Sequence, residues 1–81
     1  MAHFAELTPS TKIVKRVIAI SNAVTYDENG QEHEDRGVAL CQQLYGQHTV
    51  WVQTSYSGSR RGKYAAIGDR YDAALDRFIA P

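Results

Sequence analysis

The stretch Lys12-Ile-Val-Lys-Arg-Val-Ile-Ala-Ile20 decides how this chain is read. It is dense in the β-branched residues Ile and Val, which suit a pleated backbone, and it predicts a strand over 12–20. Strict alternation sets Val14, Arg16, Ile18 and Ile20 on one face, and Ile13, Lys15, Val17 and Ala19 on the other. Both faces are partly apolar. The pattern therefore points to a central strand, or to one whose second face meets another chain.

Upstream, His3 to Leu7 reads as a shorter strand. Thr8-Pro-Ser-Thr11 reads as a turn in which Pro9 pre-sets the backbone angle, so the two strands form a hairpin. Downstream, Asn22 to Glu32 is a loop, with Asn29-Gly30 suited to a turn at positive backbone angles. Asp35 to Tyr45 predicts the one helix. Val38, Cys41 and Leu44 or Tyr45 recur at three- and four-residue spacing and make one apolar stripe. Glu32, Glu34 and Asp35 crowd its start, where the helix dipole favours negative charge, and Gly46 stands where a C-terminal cap belongs. Gly37 weakens the first turn.

A second strong strand runs over Thr49 to Tyr56, with Val50, Val52, Thr54 and Tyr56 alternating with Trp51, Gln53 and Ser55. Ser57 to Gly62 is a polar loop. Short strands follow at Tyr64 to Ile67 and Arg70 to Ala73, broken at Gly68. A last strand over Leu75 to Ala80 is turned back through Asp72 to Asp76. These elements describe a single small domain over residues 1–81 of the α+β class: a mostly antiparallel sheet with one helix packed on a face.

The chain has 81 residues, for which a compact fold has a radius of gyration of roughly 12 Å. A core of that size nets only ~3–5 kcal/mol without staples or partners. Nine basic and nine acidic residues cancel, which argues against coating nucleic acid or an anionic membrane. The lone Cys41 forms no internal disulfide and no cysteine-based zinc site. The longest apolar stretch, Val17 to Ile20, is far short of the ~20 residues of a spanning helix. The first residues lack the basic and apolar regions of a secretory signal. The expected place of synthesis is a cytoplasm.

Four groups of residues carry candidate chemistry. Asp27, Glu28, Glu32, His33, Glu34 and Asp35 offer carboxylates and an imidazole to a divalent cation, but their spacing does not match an EF-hand loop. A solvated loop with helix-start charge explains the same residues. Cys41 with His33 or His48 would make a thiol–imidazole pair, but Cys41 falls on the apolar stripe, where a buried thiol is inert. No nucleophile elbow, P-loop or dinucleotide fingerprint is present, and the reading is non-enzymatic, with no cofactor.

The third group is Tyr56-Ser-Gly-Ser-Arg-Arg-Gly-Lys-Tyr64. Its alternatives are a phosphate and base binder, a mobile hairpin loop, or an arm whose Arg60, Arg61 and Lys63 grip acidic protein surface. The protein-gripping arm is preferred. The fourth group is aromatic. Phe4, Trp51 and Phe78 read as core, while exposed tyrosines would form a sugar platform or a protein contact.

Taken in order, the segments His3 to Leu7, Ile13 to Ile20, Asp27-Glu-Asn-Gly-Gln-Glu32, Gly37 to Tyr45, Trp51-Val-Gln-Thr-Ser-Tyr56, Lys63 to Gly68 and Tyr71 to Pro81 resemble a family of small proteins of tailed bacteriophages. The likeness is to phages of cyanobacteria and other aquatic bacteria in particular. It runs nearly the whole length and is most specific at Trp51 to Tyr56 and the tyrosine-rich end. It implies a virion component and carries over no catalytic residue. The reading is then a non-enzymatic virion structural protein that decorates or cements a capsid. The alternatives are a tail, neck or fibre-associated protein, a glycan- or receptor-binding module, or a small early protein that inhibits a host factor. Expected partners are the major capsid or tail protein and further copies of the chain, with a trimer among the expected forms. Neither nucleic acid nor membrane is expected.

The apolar second face of the first long strand sharpens the oligomer expectation. One helix covers one face of the sheet, and Tyr71, Leu75, Phe78 and Ile79 offer too little area for the other. Ile13, Val17 and Trp51, with Tyr56 and Tyr64, are the expected contact residues.

Overall fold

The computed structural model describes residues 1–81. Along the chain run β1 (Ala2–Leu7), β2 (Val14–Ile20), α1 (Asn22–Thr25), α2 (Glu34–Tyr45), β3 (Val50–Thr54), β4 (Arg70–Asp72) and β5 (Arg77–Ile79). The first three strands form one antiparallel sheet in the order β2–β1–β3, and β4 pairs with β5 in a second, two-stranded sheet. The α+β class read from the sequence is the observed one.

The hairpin between β1 and β2 closes as expected. The Thr8 and Lys12 amides bond across the turn, to Ile13 and Thr8 carbonyls, and Lys12 takes a left-handed backbone with φ 62°. The central strand, however, is β1 and not β2. The Ile/Val density of β2 marks strand propensity, but centrality is a matter of long-range pairing. β1 takes β3 on its free side, with Phe4 opposite Gln53 and Glu6 opposite Trp51.

A bulge changes the faces of β2. Glu6 pairs with Arg16 and Leu7 with Val14, so Lys15 is the extra residue. One inserted residue reverses the inward and outward sense of what precedes it. Val14 therefore leaves the face of Ile18 and Ile20 and joins the opposite core with Ala5 and Leu7.

Helix α2 lies across the face made by Ala2, Phe4, Ile20 and Trp51, and buries Cys41 there. It begins at Glu34, one residue earlier than read, and ends at Gly46, whose amide bonds back to Gln42. Its buried positions are Gly37 and Cys41, flanked by Val38 and Leu40. Leu44 is turned to solvent, 63% exposed, contrary to the stripe read from spacing. Gly37 lies directly on the Phe4 ring and brings α2 close to the sheet there, whereas Leu44 sits two turns further along, in the last turn of the helix.

The loop after β2 contains a single helical turn, α1. Ser21 caps it, its hydroxyl accepting from the Ala23 amide. Four residues carry no helical period, so the sequence gives no signal for it. The Asn29-Gly30 turn forms as read, with Gly30 at φ 78° and the Asp27 carboxylate accepting from the Asn29 and Gln31 amides.

The second sheet face is closed by the chain itself. Ala5, Leu7, Val14 and Val52 pack against Ala65 and Phe78, with Val17, Val50 and Tyr71 alongside. The segment 64–67 is not a strand. It is irregular backbone whose Ala65 amide bonds to the Thr54 hydroxyl and whose Ala66 amide bonds to the Asp69 carboxylate. Ala65 and Phe78 thus cover this face, while Leu75, expected to add to that cover, is 63% exposed. The result is three layers, helix on sheet on hairpin, with a radius of gyration of 12.1 Å.

Candidate functional site

The charges of the acidic loop and the basic loop meet. Glu32 and Glu34 precede and open α2, two residues apart. Arg60 and Arg61 are adjacent in the loop after β3. Arg60 Nη2 lies 2.8 Å from Glu32 Oε1. Arg61 reaches further in, with Nη1 3.0 Å from Glu34 Oε2 and Nε 2.8 Å from Asp76 Oδ1.

The same two groups cap the outer edge of β3. The Gln53 amide donates to Glu34 Oε2 at 2.8 Å, and Arg61 Nη1 donates to the Gln53 carbonyl at 2.7 Å. Side chains thus occupy backbone groups that a further strand would have paired. Burial works against the Arg61 charge, but the carboxylates of Glu34 and Asp76 outweigh it and hold the guanidinium protonated beyond its ordinary range. Asp76 also accepts from the Tyr71 hydroxyl. Burial and that hydrogen bond push the Tyr71 phenol up, and Asp76 is held below the usual carboxylate range by its bonds to Tyr71 and Arg61.

Arg61 is therefore a tie between α2, β3 and the terminal hairpin, and not the tip of a free arm. Lys63 is also spent at home, 2.8 Å from the buried carboxylate of Asp69. Of the three cations read as an adaptable arm, Arg60 borders a cleft at the end of β3.

That space is a polar cleft of about 440 Å³ between the start of β1, the end of β3 and the 55–60 loop. Gln53 and Thr54 approach it from β3, Glu32 from the turn before α2, and Ser55, Tyr56 and Arg60 from the loop. Gln53 is 3% exposed. Its Nε2 donates to Glu32 Oε2 at 2.8 Å, while its buried Oε1 has no hydrogen-bond partner. A chain of polar groups thus runs from Arg60 through Glu32 to Gln53 and ends on a buried, unpartnered acceptor.

At the mouth, three rings cluster. His3 meets Tyr64 edge-on with centroids 5.5 Å apart, and Tyr64 meets Tyr56 at 5.4 Å. Tyr56 is 79% exposed, so most of its surface stays open.

The other residues singled out by sequence lie elsewhere. Ile13 is half-buried and bridges to Arg70. Val17 is half-buried against the hairpin-side core. Trp51 is buried beneath α2, with its indole N–H on the Thr49 hydroxyl and its ring 5.2 Å from Tyr45, so it offers no contact surface. Arg60, Tyr56 and Tyr64 come together at the cleft; Ile13, Val17 and Trp51 do not join them. Gln53 was read only as a strand residue. Its approach to Glu32 is a tertiary event, although two acids two apart and two adjacent arginines in a neutral chain were a signal of cross-pairing.

The remaining candidates dissolve into structural roles. His33 Nε2 lies 2.8 Å from Asp27 Oδ2. That hydrogen bond, with the Gln31 amide, draws the Asp27 carboxyl down to about 2. With Glu32 and Glu34 on arginines, no group of three or more potential ligands converges. Cys41 is fully buried, and burial, with a contribution from the Glu6 charge, pushes its thiol up to about 11. Glu6 itself is buried on the helix face, with Arg16 Nε 2.9 Å from its Oε1 as an ion pair without hydrogen-bond alignment. Arg16 in turn covers the Tyr45 ring.

Compared with protein-family models, curated proteins and solved structures, the chain matches none.

Proposed function

We propose that this chain is a non-enzymatic structural protein of a phage virion, one that decorates or cements the capsid by docking through the outer edge of β2. The phage resemblance of the sequence supports the first half of the reading. The observation that carries the second is the state of that edge.

Gln53 turns its N–H and C=O away from β1, so in an antiparallel ladder the pairs on either side of β1 are assigned by alternation. Ala5–Val17 and His3–Ala19 are then the non-hydrogen-bonded pairs of β1 and β2, and Val17 and Ala19 turn their peptide groups outward. Around Ile13 and Val14 that outer side is taken by residues 68–71. From Lys15 to Ile20 no strand covers it. An open edge of this kind invites strand addition by another chain. At the opposite edge, β3, Glu34 and Arg61 occupy the outward backbone groups of Gln53. The contrast favours β2 as the docking edge, with half-buried Val17 beside it. Docking of many copies on a lattice adds stability by mass action to a small core. A second copy pairing edge to edge is the form the homo-oligomer takes in this reading.

Copy number in purified virions, by quantitative mass spectrometry, tests the assignment. Hundreds of copies per particle support capsid decoration. A dozen or fewer place the chain in a tail, neck or fibre, and none overturns the virion reading. Ala19→Pro removes only an outward donor. The variant keeps the fold and loses particle binding; unchanged occupancy removes the β2 edge from the interface.

A further inference from the structure

The uncovered stretch of β2 is complementary to itself. At its start, the Val14 peptide groups are taken by Gly68 and Asp69, and Lys15 bulges. At its end, the strand stops at Ile20 and the chain turns into α1 through Ser21. Arg16 to Ile20 form the regular, uncovered strand between these stops. Native edge strands are blunted by charge, proline or a bulge. The Lys15 bulge and the Arg16–Glu6 ion pair do this at one end only. Val17-Ile-Ala-Ile20 carries no such device, with Val17 and Ile18 half-buried on opposite faces and Ala19 exposed.

We propose that a second copy of this chain occupies that edge, antiparallel, about a two-fold axis through Ile18. Outward peptide groups pair with outward peptide groups across a new seam, and those of the free stretch belong to Val17 and Ala19. Val17 set opposite Ala19 of the second copy exchanges both N–H···O=C bonds with it, and symmetry repeats the pair. Neighbouring registers fail. A seam centred on Val17 would set Val14, already bonded to Gly68 and Asp69, opposite Ile20. One centred on Ala19 would set Asn22 of α1 opposite Arg16. The side chains suit the middle register. Ile18 meets Ile18 on the helix face, and Val17 meets Ala19 on the hairpin face. Arg16 faces Ile20, so the two arginines stand at opposite ends of the seam and no like charges are opposed.

The two three-stranded sheets become one, with both α2 helices on the same face. Its outer edges are then the two β3 strands, where Glu34 and Arg61 hold the Gln53 backbone groups, so the seam closes a dimer. The inference rests on the reading of β2 as the docking edge and names its occupant in the free protein. A particle strand and a second copy compete for the same backbone groups.

The test needs no particle. Analytical ultracentrifugation of the full chain is expected to show a monomer–dimer equilibrium. In wild-type protein the Val17 and Ala19 amides are expected to exchange hydrogen about tenfold or more slowly in the dimer than in the monomer. Single cysteines read the register, since Cys41 is buried. Under mild oxidation Ile18→Cys is expected to link into a covalent dimer. Val17→Cys is not, because its equivalent lies diagonally across the seam, beyond disulfide reach. A monomer at every concentration, a trimer, Val17 and Ala19 amides indifferent to concentration, or Val17→Cys linking as fast as Ile18→Cys overturns the proposal. A monomer that still binds particles overturns self-pairing and leaves the capsid reading standing. A dimer joined through Ile18 that binds no particle supports self-pairing while the virion reading fails.

Discussion

Gly37 of α2 rests directly on the ring of Phe4 in β1: a Cβ at residue 37 would stand 2.1 Å from Phe4 Cζ. Phe4 is fully buried at the centre of the helix-side core. The glycine that weakens the helix locally is what lets the helix reach the sheet. Gly37→Ala improves intrinsic helix propensity by up to ~1 kcal/mol. Overpacking a full ring costs about 1–3 kcal/mol or more, and the clash wins. The variant is expected to show a lower urea midpoint. Phe4→Leu made together with Gly37→Ala, by relieving the clash, is expected to recover part of the loss. A midpoint at or above wild type for Gly37→Ala would show that the helix does not sit where described.

Arg61 holds three elements at once, through Glu34, Asp76 and the Gln53 carbonyl. Its side chain is 14% exposed, so solvent compensates little for its loss. Arg61→Ala is expected to cost about 1.5–3 kcal/mol, the range for hydrogen bonds to charged groups. Arg61→Lys keeps the charge but not the planar fork, and is expected to recover less than half of the loss. Chemical denaturation measures both. Arg60→Ala, at the more exposed ion pair with Glu32, is expected to cost less than ~1 kcal/mol. Equal costs at the two positions would contradict their different burial.

Cys41 faces Phe4 and Trp51 inside the helix-side core. Burial and a thiol pKa near 11 leave little thiolate at neutral pH. Native protein is expected to label with a thiol reagent only at the rate of opening, and urea-unfolded protein at once. Rapid stoichiometric labelling under native conditions would contradict the placement of α2.

Asp27 accepts from His33 and from two backbone amides, and its carboxyl titrates near 2 rather than at its ordinary 3.8. A lowered carboxyl contributes stability above its unfolded value and loses it as pH falls toward the folded value. The turn at 27–31 is therefore expected to hold through pH 3.8 and to loosen toward pH 2. Carboxyl-carbon NMR reads this residue directly. In His33→Ala the Asp27 midpoint is expected to rise toward 3.8, since its largest cause is gone. An unmoved midpoint would assign the shift to the backbone amides instead.

The sequence by itself determined the local elements. The Ile/Val density of 14–20, the three- and four-residue spacing over 34–45 ended by Gly46, and the Asn29-Gly30 turn each depend on neighbours in the chain. Tertiary structure alone decided how they meet. That β1 is central, that Lys15 bulges and moves Val14 to the other core, and that Phe78 and Ala65 close the second sheet face are all consequences of long-range pairing. Side-chain periodicity is silent on such pairing, because a strand's pattern names its buried residues without naming what buries them. The cleft shows the same division. Tyr56, Arg60 and Tyr64 stood out as aromatic and basic residues, but Gln53 is left with a buried, unpartnered acceptor only when Glu32, far off in sequence, takes its amide and the fold shuts water away.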